Sequence, residues 1–329
     1  MHHPDKAVFR GNTNSQVSLT EALRQKTEEI SPQPIKDFPP KRPSPNRGLG
    51  VITMYLLSIC TLLFLYGEFT SPQMEYRITQ LPATPLYSSK INKQLLYDYP
   101  QAYEILDKLA SAYDFQKLQS LSDLPKEGQT LLQQYEHTPY WKGFYDKLVD
   151  HLSHPGKLWN FDAPLFEKIR QGEFWRLFTP ALLHLNVFHL FFNMIWLVVL
   201  GKLIEEKIGA LRYIIFILIV AVVSNTAQYL MSGPNFIGIS GVICGMLGFI
   251  WARQTSAAWE DYNLMPGAIS FMFFFVLAMF CIQLISFLLQ VYYQVAFMPG
   301  IANTAHIVGG LTGYLLGQLN AYSLKTKKS

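Results

Sequence analysis

Charge is what this 329-residue chain has least of: Asp, Glu, Lys and Arg together make up 15% of it, against about a quarter in an ordinary soluble domain. With half of the residues hydrophobic, that scarcity excludes a conventional water-solvated surface and leaves a polytopic membrane protein. The net charge of +4 is small and implies no nucleic-acid partner. Cysteine is nearly absent. Cys60, Cys244 and Cys281 fall in apolar stretches without Cys-x-x-Cys spacing, so neither a disulfide framework nor a thiolate metal site is expected. No cofactor is implied, and the sequence carries no signal for an oligomeric state.

What is present is organised by apolar runs. A bilayer core of ~30 Å takes about 20 mainly apolar residues as a helix. Six stretches approach that length, near 50–67, 187–203, 213–231, 240–257, 267–289 and 302–320. The fold expected is an all-α six-transmembrane-helix bundle. Its second, fourth and sixth spans carry histidine, asparagine, serine or several glycines, which lipid-facing helices have little reason to hold, and should form the interior.

The rest divides around these spans. Residues 1–48 are polar and proline-rich, with Pro32, Pro34, Pro39, Pro40, Pro43 and Pro45 close together, and read as a disordered cytoplasmic tail. Ser18 and Glu21 offer it one capping box, over Leu19–Glu29. The first apolar run starts too far along the chain for a cleaved secretory signal. The first span, 49–67, is followed by a segment of 68–168, too long for a simple connection. Ala102, Ile105, Leu106 and Leu109, and then Leu131, Leu132 and Tyr135, are spaced for amphipathic helices, so a small helical external insertion is expected. The core follows over 169–320, with a basic cytoplasmic tail at 321–329.

Lysine and arginine set the orientation. Lys36, Lys41, Arg42 and Arg47 precede the first span; Lys202, Lys207 and Arg212 lie between the second and third; Arg253 ends the fourth; Lys325, Lys327 and Lys328 follow the sixth. The loops 232–239 and 290–301 have neither residue. Both termini are expected in the cytoplasm, with Ser240 near the outer leaflet. A bacterial plasma membrane suits this topology.

Ser240 opens the fourth span in Gly238-Ile239-Ser240-Gly241, and His306 lies in the sixth. A serine hydroxyl becomes a useful nucleophile when a base sits within about 2.6–3.2 Å. Gly241 and Gly245 form one small-residue surface, and Ala305, Gly309, Gly313 and Gly317 repeat every four residues on the other helix. Facing stripes of this kind let two backbones approach closely and can deliver His306 to Ser240. The sixth span holds no acidic residue, which favours a Ser-His dyad over a triad. His189 and Asn193 share one helical face and could hold an anionic oxygen; helix-to-helix hydrogen bonding is the other reading of that pair. Trp175, beside Arg176, reads by composition as an interfacial anchor.

Together these pieces resemble the rhomboid intramembrane serine proteases. The matching residues are Trp175-Arg176, His184 through His189 to Asn193, Gly238-Ile239-Ser240-Gly241, and Ala302-Asn303-Thr304-Ala305-His306 with Gly309. The resemblance implies catalysis by Ser240 and His306, oxyanion stabilisation by His189 and Asn193, and a fold-supporting role for Glu205. It implies that the fifth span, with Phe271, Phe273, Phe274 and Phe275, is the mobile helix beside which substrate enters. Its partners would be transmembrane protein substrates within the lipid bilayer. Cys244 departs from the pattern, standing where the family often has an aromatic packed on the catalytic histidine. A non-catalytic binder of membrane helices is the alternative function. A transporter ranks last, since the spans offer little convergent charge and no inverted repeat.

Overall fold

The computed structural model describes residues 48–70, 90–113, 120–264, 267–295 and 302–324. The expected N-terminal tail with its Leu19–Glu29 helix lies outside the described residues, as do the flanking basic residues Lys36, Lys41, Arg42, Arg47, Lys325, Lys327 and Lys328. Among the described residues there is no strand. In chain order the helices are α1 (Val51–Thr70), α2 (Lys90–Leu95), α3 (Gln101–Ala112), α4 (Lys126–His137), α5 (Phe144–Ser153) and the single turn α6 (Glu167–Arg170). They are followed by α7 (Val187–Ile208), α8 (Ala210–Ser232), α9 (Ser240–Ser256), α10 (Ala268–Tyr293) and α11 (Asn303–Gln318). The long apolar runs have one internally consistent solution in lipid, because a helix satisfies its own backbone hydrogen bonds.

Among the described residues four helices are, by length and composition, long and apolar enough to cross a membrane: α1, α7, α8 and α10. The fourth and sixth expected spans, α9 and α11, are shorter, at 17 and 16 residues. Their setting explains it. Eleven residues of α9 are buried, so this helix is surrounded by protein rather than lipid and does not need a continuous apolar run. The interior also takes in the third span, α8, which buries Ser224, Asn225 and Gln228 among its nine buried residues.

Backbone meets backbone where α9 crosses α11. A Cβ on Gly309 would fall on the carbonyl of Gly241, one on Gly313 on the carbonyl of Gly245, and one on Gly248 on the carbonyl of Gly310. Hydrogen at these positions is what permits the approach.

Charges at one end of the bundle are consumed in pairing. Glu205, 6% exposed, accepts the N–H groups of Ile52 and Thr53 at 2.8 and 2.9 Å and the Thr53 hydroxyl at 2.8 Å. A carboxylate thus caps the N-terminus of α1 from the last turn of α7, where the helix dipole favours negative charge. Arg253, assigned from sequence as an orienting loop cation, is instead buried. Its guanidinium pairs with Glu260 through Nε at 2.7 Å and through Nη2, and Nη1 donates to the Gly317 carbonyl at 2.9 Å. The pair neutralises its charge inside the protein.

The insertion folds as helices with the expected buried faces: Ala102, Ile105, Leu106 and Leu109 on α3, and Tyr135 on α4. Two buried charges tie it to the bundle. Asp98 accepts N–H groups from Glu167 and Lys168, each at 2.9 Å, and the Tyr229 hydroxyl at 3.0 Å. Arg176 donates to the carbonyls of Leu96 at 2.7 Å and Lys93 at 2.8 Å. Trp175 is half exposed, and its Nε1 donates to Gln94 O at 3.1 Å.

Replacing Glu205 by alanine strands two helix N–H groups and a hydroxyl. We expect Glu205→Ala to cost about 2–3 kcal/mol, read as a lower unfolding midpoint in detergent, and Glu205→Gln, which keeps an acceptor, to cost less.

Candidate active site

Ser240 owes its place to the turn before it. Gly238 has φ +120°, a conformation glycine adopts without penalty, and its N–H donates to Pro180 O at 2.9 Å. Ile239 is fully buried. Chain direction is thereby fixed on both sides of the first residue of α9, and Ser240 stands half-buried at the helix N-terminus. The opening N–H groups of any helix lack intrahelical acceptors.

His306 arrives from the first turn of α11. Its Nε2 lies 2.8 Å from Ser240 Oγ. The imidazole is buried, and among the described residues its Nδ1 has no hydrogen-bond partner, so these residues supply a serine–histidine pair without a carboxylate behind it. Two neighbours fix this turn. Gln228 of α8 accepts the Ala305 N–H at 2.9 Å while its own Nε2 donates to Ser232 Oγ at 2.7 Å. Asn303 donates to Met279 O at 3.0 Å and Gln283 Oε1 at 2.6 Å, both on α10.

His189 faces the same space from α7. Asn186 caps that helix by accepting the His189 N–H at 2.9 Å. The Leu185 N–H donates to His189 Nδ1 at 3.4 Å. With Nδ1 accepting, the proton of a neutral ring belongs on Nε2, which becomes a donor. A Cβ on Gly238 would come within 2.9 Å of that Nε2 and 3.9 Å of Ser240 Oγ; glycine keeps the gap between them open. Asn193, one turn further along, is buried and donates through Nδ2 to its own helix at His189 O, 2.8 Å away. One amide hydrogen is therefore engaged, and the other is left for a second acceptor. His184 lies 5.3 Å from His189, ring to ring, with both ring nitrogens buried.

Cys244, one turn below Ser240, is buried in the core. Among the described residues no aromatic ring packs on His306. What confines the imidazole is the glycine backbone of α9 and α11 and the pull of Gln228 on Ala305.

A family model, the Rhomboid domain, matches residues 171–323. The chain thus carries a rhomboid domain. It is the domain of a family of intramembrane proteases, and the domain together with the apolar helices makes this an integral membrane protein. The rhomboid domain begins just ahead of Trp175-Arg176 and includes α7 to α11; α1 and the insertion precede it. Within the domain, residue-by-residue reading overlooked Gln228 and Asn225. The latter donates to Leu177 O at 3.0 Å and joins α8 to the Trp-Arg turn. The available signal was the polar run Ser224, Asn225, Thr226 and Gln228 inside an otherwise apolar span.

Neighbouring glycines give the sharpest test of the helix crossing that carries the Ser240–His306 contact. Gly309→Ala must push the Gly241 carbonyl away, whereas a Cβ at Gly310 meets only Cys244 O at an ordinary 3.7 Å. We expect Gly309→Ala to destabilise the rhomboid domain by about 1–3 kcal/mol. Gly310→Ala should be neutral or stabilising by up to about 1 kcal/mol, the helix-propensity gain. Thermal unfolding of the two variants side by side reads the difference.

Proposed function

We propose that this rhomboid domain is an active serine endopeptidase that cleaves transmembrane segments of other membrane proteins. The observation that carries this reading is the 2.8 Å contact between Ser240 Oγ and His306 Nε2. It joins two helices 66 residues apart in sequence, at a spacing suited to proton transfer.

In the reaction, Ser240 Oγ attacks the scissile carbonyl carbon as its proton passes to His306 Nε2. The carbonyl π electrons move to oxygen, giving a tetrahedral oxyanion. His189 Nε2–H, the second amide hydrogen of Asn193 and the Ser240 backbone N–H supply donors to it; loss of one such donor cost roughly 2.7–4 kcal/mol in the clearest mutational case. Collapse of the intermediate breaks the C–N bond, and His306 returns the proton to the leaving amine. Water then attacks the acyl-serine with the same imidazole taking its proton; the acyl C–Oγ bond breaks, the carboxylic acid leaves and His306 returns the proton to Ser240 Oγ. The attacked bond must be exposed from its helix, so segments weakened by small or helix-breaking residues are the expected substrates.

The lysine and arginine pattern supports cytoplasmic termini and a Ser240 end at the outer leaflet, as in a bacterial plasma membrane. Arg253 is withdrawn from that argument by its pairing with Glu260. One observation favours a second reading, a non-catalytic binder of membrane helices: Cys244 stands where an aromatic would brace His306, and no ring does so among the described residues.

A serine-directed fluorophosphonate probe separates the two. Wild-type protein should label and should cleave a panel of helix-weakened transmembrane segments. Ser240→Ala should abolish both, and His306→Ala should slow both by at least about a thousandfold. Wild-type protein that neither labels nor cleaves any of the panel is a binder.

A further inference from the structure

The insertion reaches the bundle a second time, at α5, and there it touches the helix least held by the rest of the fold. Only Ala268, Met272 and Ser286 are buried among the 26 residues of α10, against eleven of 17 in α9. An element with so few buried contacts is the one that moves most easily. Its attachments include ring contacts, Phe275 on Phe192 at 5.2 Å and Phe271 on Trp196 at 6.0 Å between ring centroids, and the two hydrogen bonds that Asn303 donates to the Met279 carbonyl and the Gln283 side chain. At Gly248, Gly309 and Gly313 the α9–α11 crossing, by contrast, has no room for a hydrogen-to-methyl change. The weakly held α10 is therefore the side on which a foreign helix would meet least resistance on its way to Ser240.

At its last turns α10 meets Tyr145 of α5. The Tyr145 ring lies edge-on to Phe287 at 5.6 Å, and its hydroxyl donates to Gln290 Oε1 at 3.4 Å. The start of α5 is itself immobilised on α8. Gly143, at φ +103°, leaves no space for a Cβ against Met231 O and Ser232 Cα, and Trp141 Nε1 donates to Tyr229 O at 3.0 Å. Helix α5 therefore runs as a strut from the fixed end of α8 to the free end of α10. A cleft of about 770 Å³ opens beside it, with Gln290 and Gln294 on one wall and Asp146, His151 and Trp159 on the other.

We propose that Tyr145 is a specificity-determining residue. By holding the Ser240 end of α10, the insertion limits how far that helix can lean away, and so selects which transmembrane segments reach Ser240. This rests on the protease reading above. The strut acts on the passage of a helix and leaves the Ser240–His306 pair untouched, so a small probe and a transmembrane substrate should respond differently.

The full chain in proteoliposomes provides the test. Tyr145→Ala should raise kcat/KM for a transmembrane-segment substrate about 2- to 10-fold, the equivalent of one aromatic pair, with the fluorophosphonate labelling rate of Ser240 unchanged. Tyr145→Cys with Phe287→Cys, joined by a short bismaleimide in a Cys281→Ser background that removes the exposed thiol, should suppress cleavage and again leave labelling intact. Unchanged cleavage in both variants overturns the strut, as does labelling that rises or falls in step with cleavage. Wild-type protein that neither labels nor cleaves overturns the protease reading, and the strut with it.

Discussion

The contact on which this molecule depends is the backbone-to-backbone crossing of α9 and α11. In lipid the hydrophobic effect gives helices no reason to associate, because acyl chains are as apolar as leucine. Dispersion between closely packed atoms has to supply the attraction, and it falls off within an ångström of added separation. Glycines 241, 245, 248, 309 and 313 remove the side chains that would impose that separation. The same closeness sets the chemistry, since Ser240 and His306 stand in the first turns of the two helices. Their 2.8 Å contact is a property of the crossing as much as of either residue.

Polar groups give the crossing its register. Gln228, Asn225 and Asn303 each bond a backbone group of a neighbouring element, which in a low-dielectric interior penalises any sliding that would leave them unpaired. Against that background the unsatisfied groups are informative. Among the described residues His306 Nδ1, Asn303 Oδ1 and, at the other end of the bundle, the Tyr262 hydroxyl are buried without partners, at about 1–3 kcal/mol for each group so placed. Two of these three atoms lie in the first turn of α11, beside the proposed chemistry.

How much of this was legible in the sequence follows from what periodicity encodes. Apolar runs gave helix positions to within a few residues, and the four-residue spacing of Ala305, Gly309, Gly313 and Gly317 marked a face built for close approach. The His189–Asn193 spacing likewise put both on one face. Spacing names a face but never a partner. That Glu205 caps a helix beginning more than 150 residues earlier, or that Asp98 receives Tyr229, depends on tertiary neighbours with no local signature. Arg253 misled for the same reason, because an arginine at the end of an apolar run looks alike whether it meets water or a buried glutamate. The third span was not among those expected in the interior because its average is apolar, although its polar residues are concentrated in its last turns.

Stability is distributed unequally along the bundle, and the distribution matters for function. The end holding Glu205 is closed by charge: its carboxylate fixes α1 to α7, and Glu260 gathers Arg253, the Leu324 N–H at 2.8 Å and, through its carbonyl, Lys207 at 2.6 Å. These groups are buried or nearly so, and separating them would leave charges without partners, which is far costlier than losing an exposed pair. At the Ser240 end the buried charges Asp98 and Arg176 hold the insertion, while the ties of α10 are neutral hydrogen bonds and ring contacts, each worth about 1 kcal/mol. Motion that begins at the Ser240 end can therefore be absorbed without loosening the other. A helix such as α10, pinned weakly along its length, can tilt about its Glu205-side turns while the α9–α11 crossing keeps serine and histidine in contact.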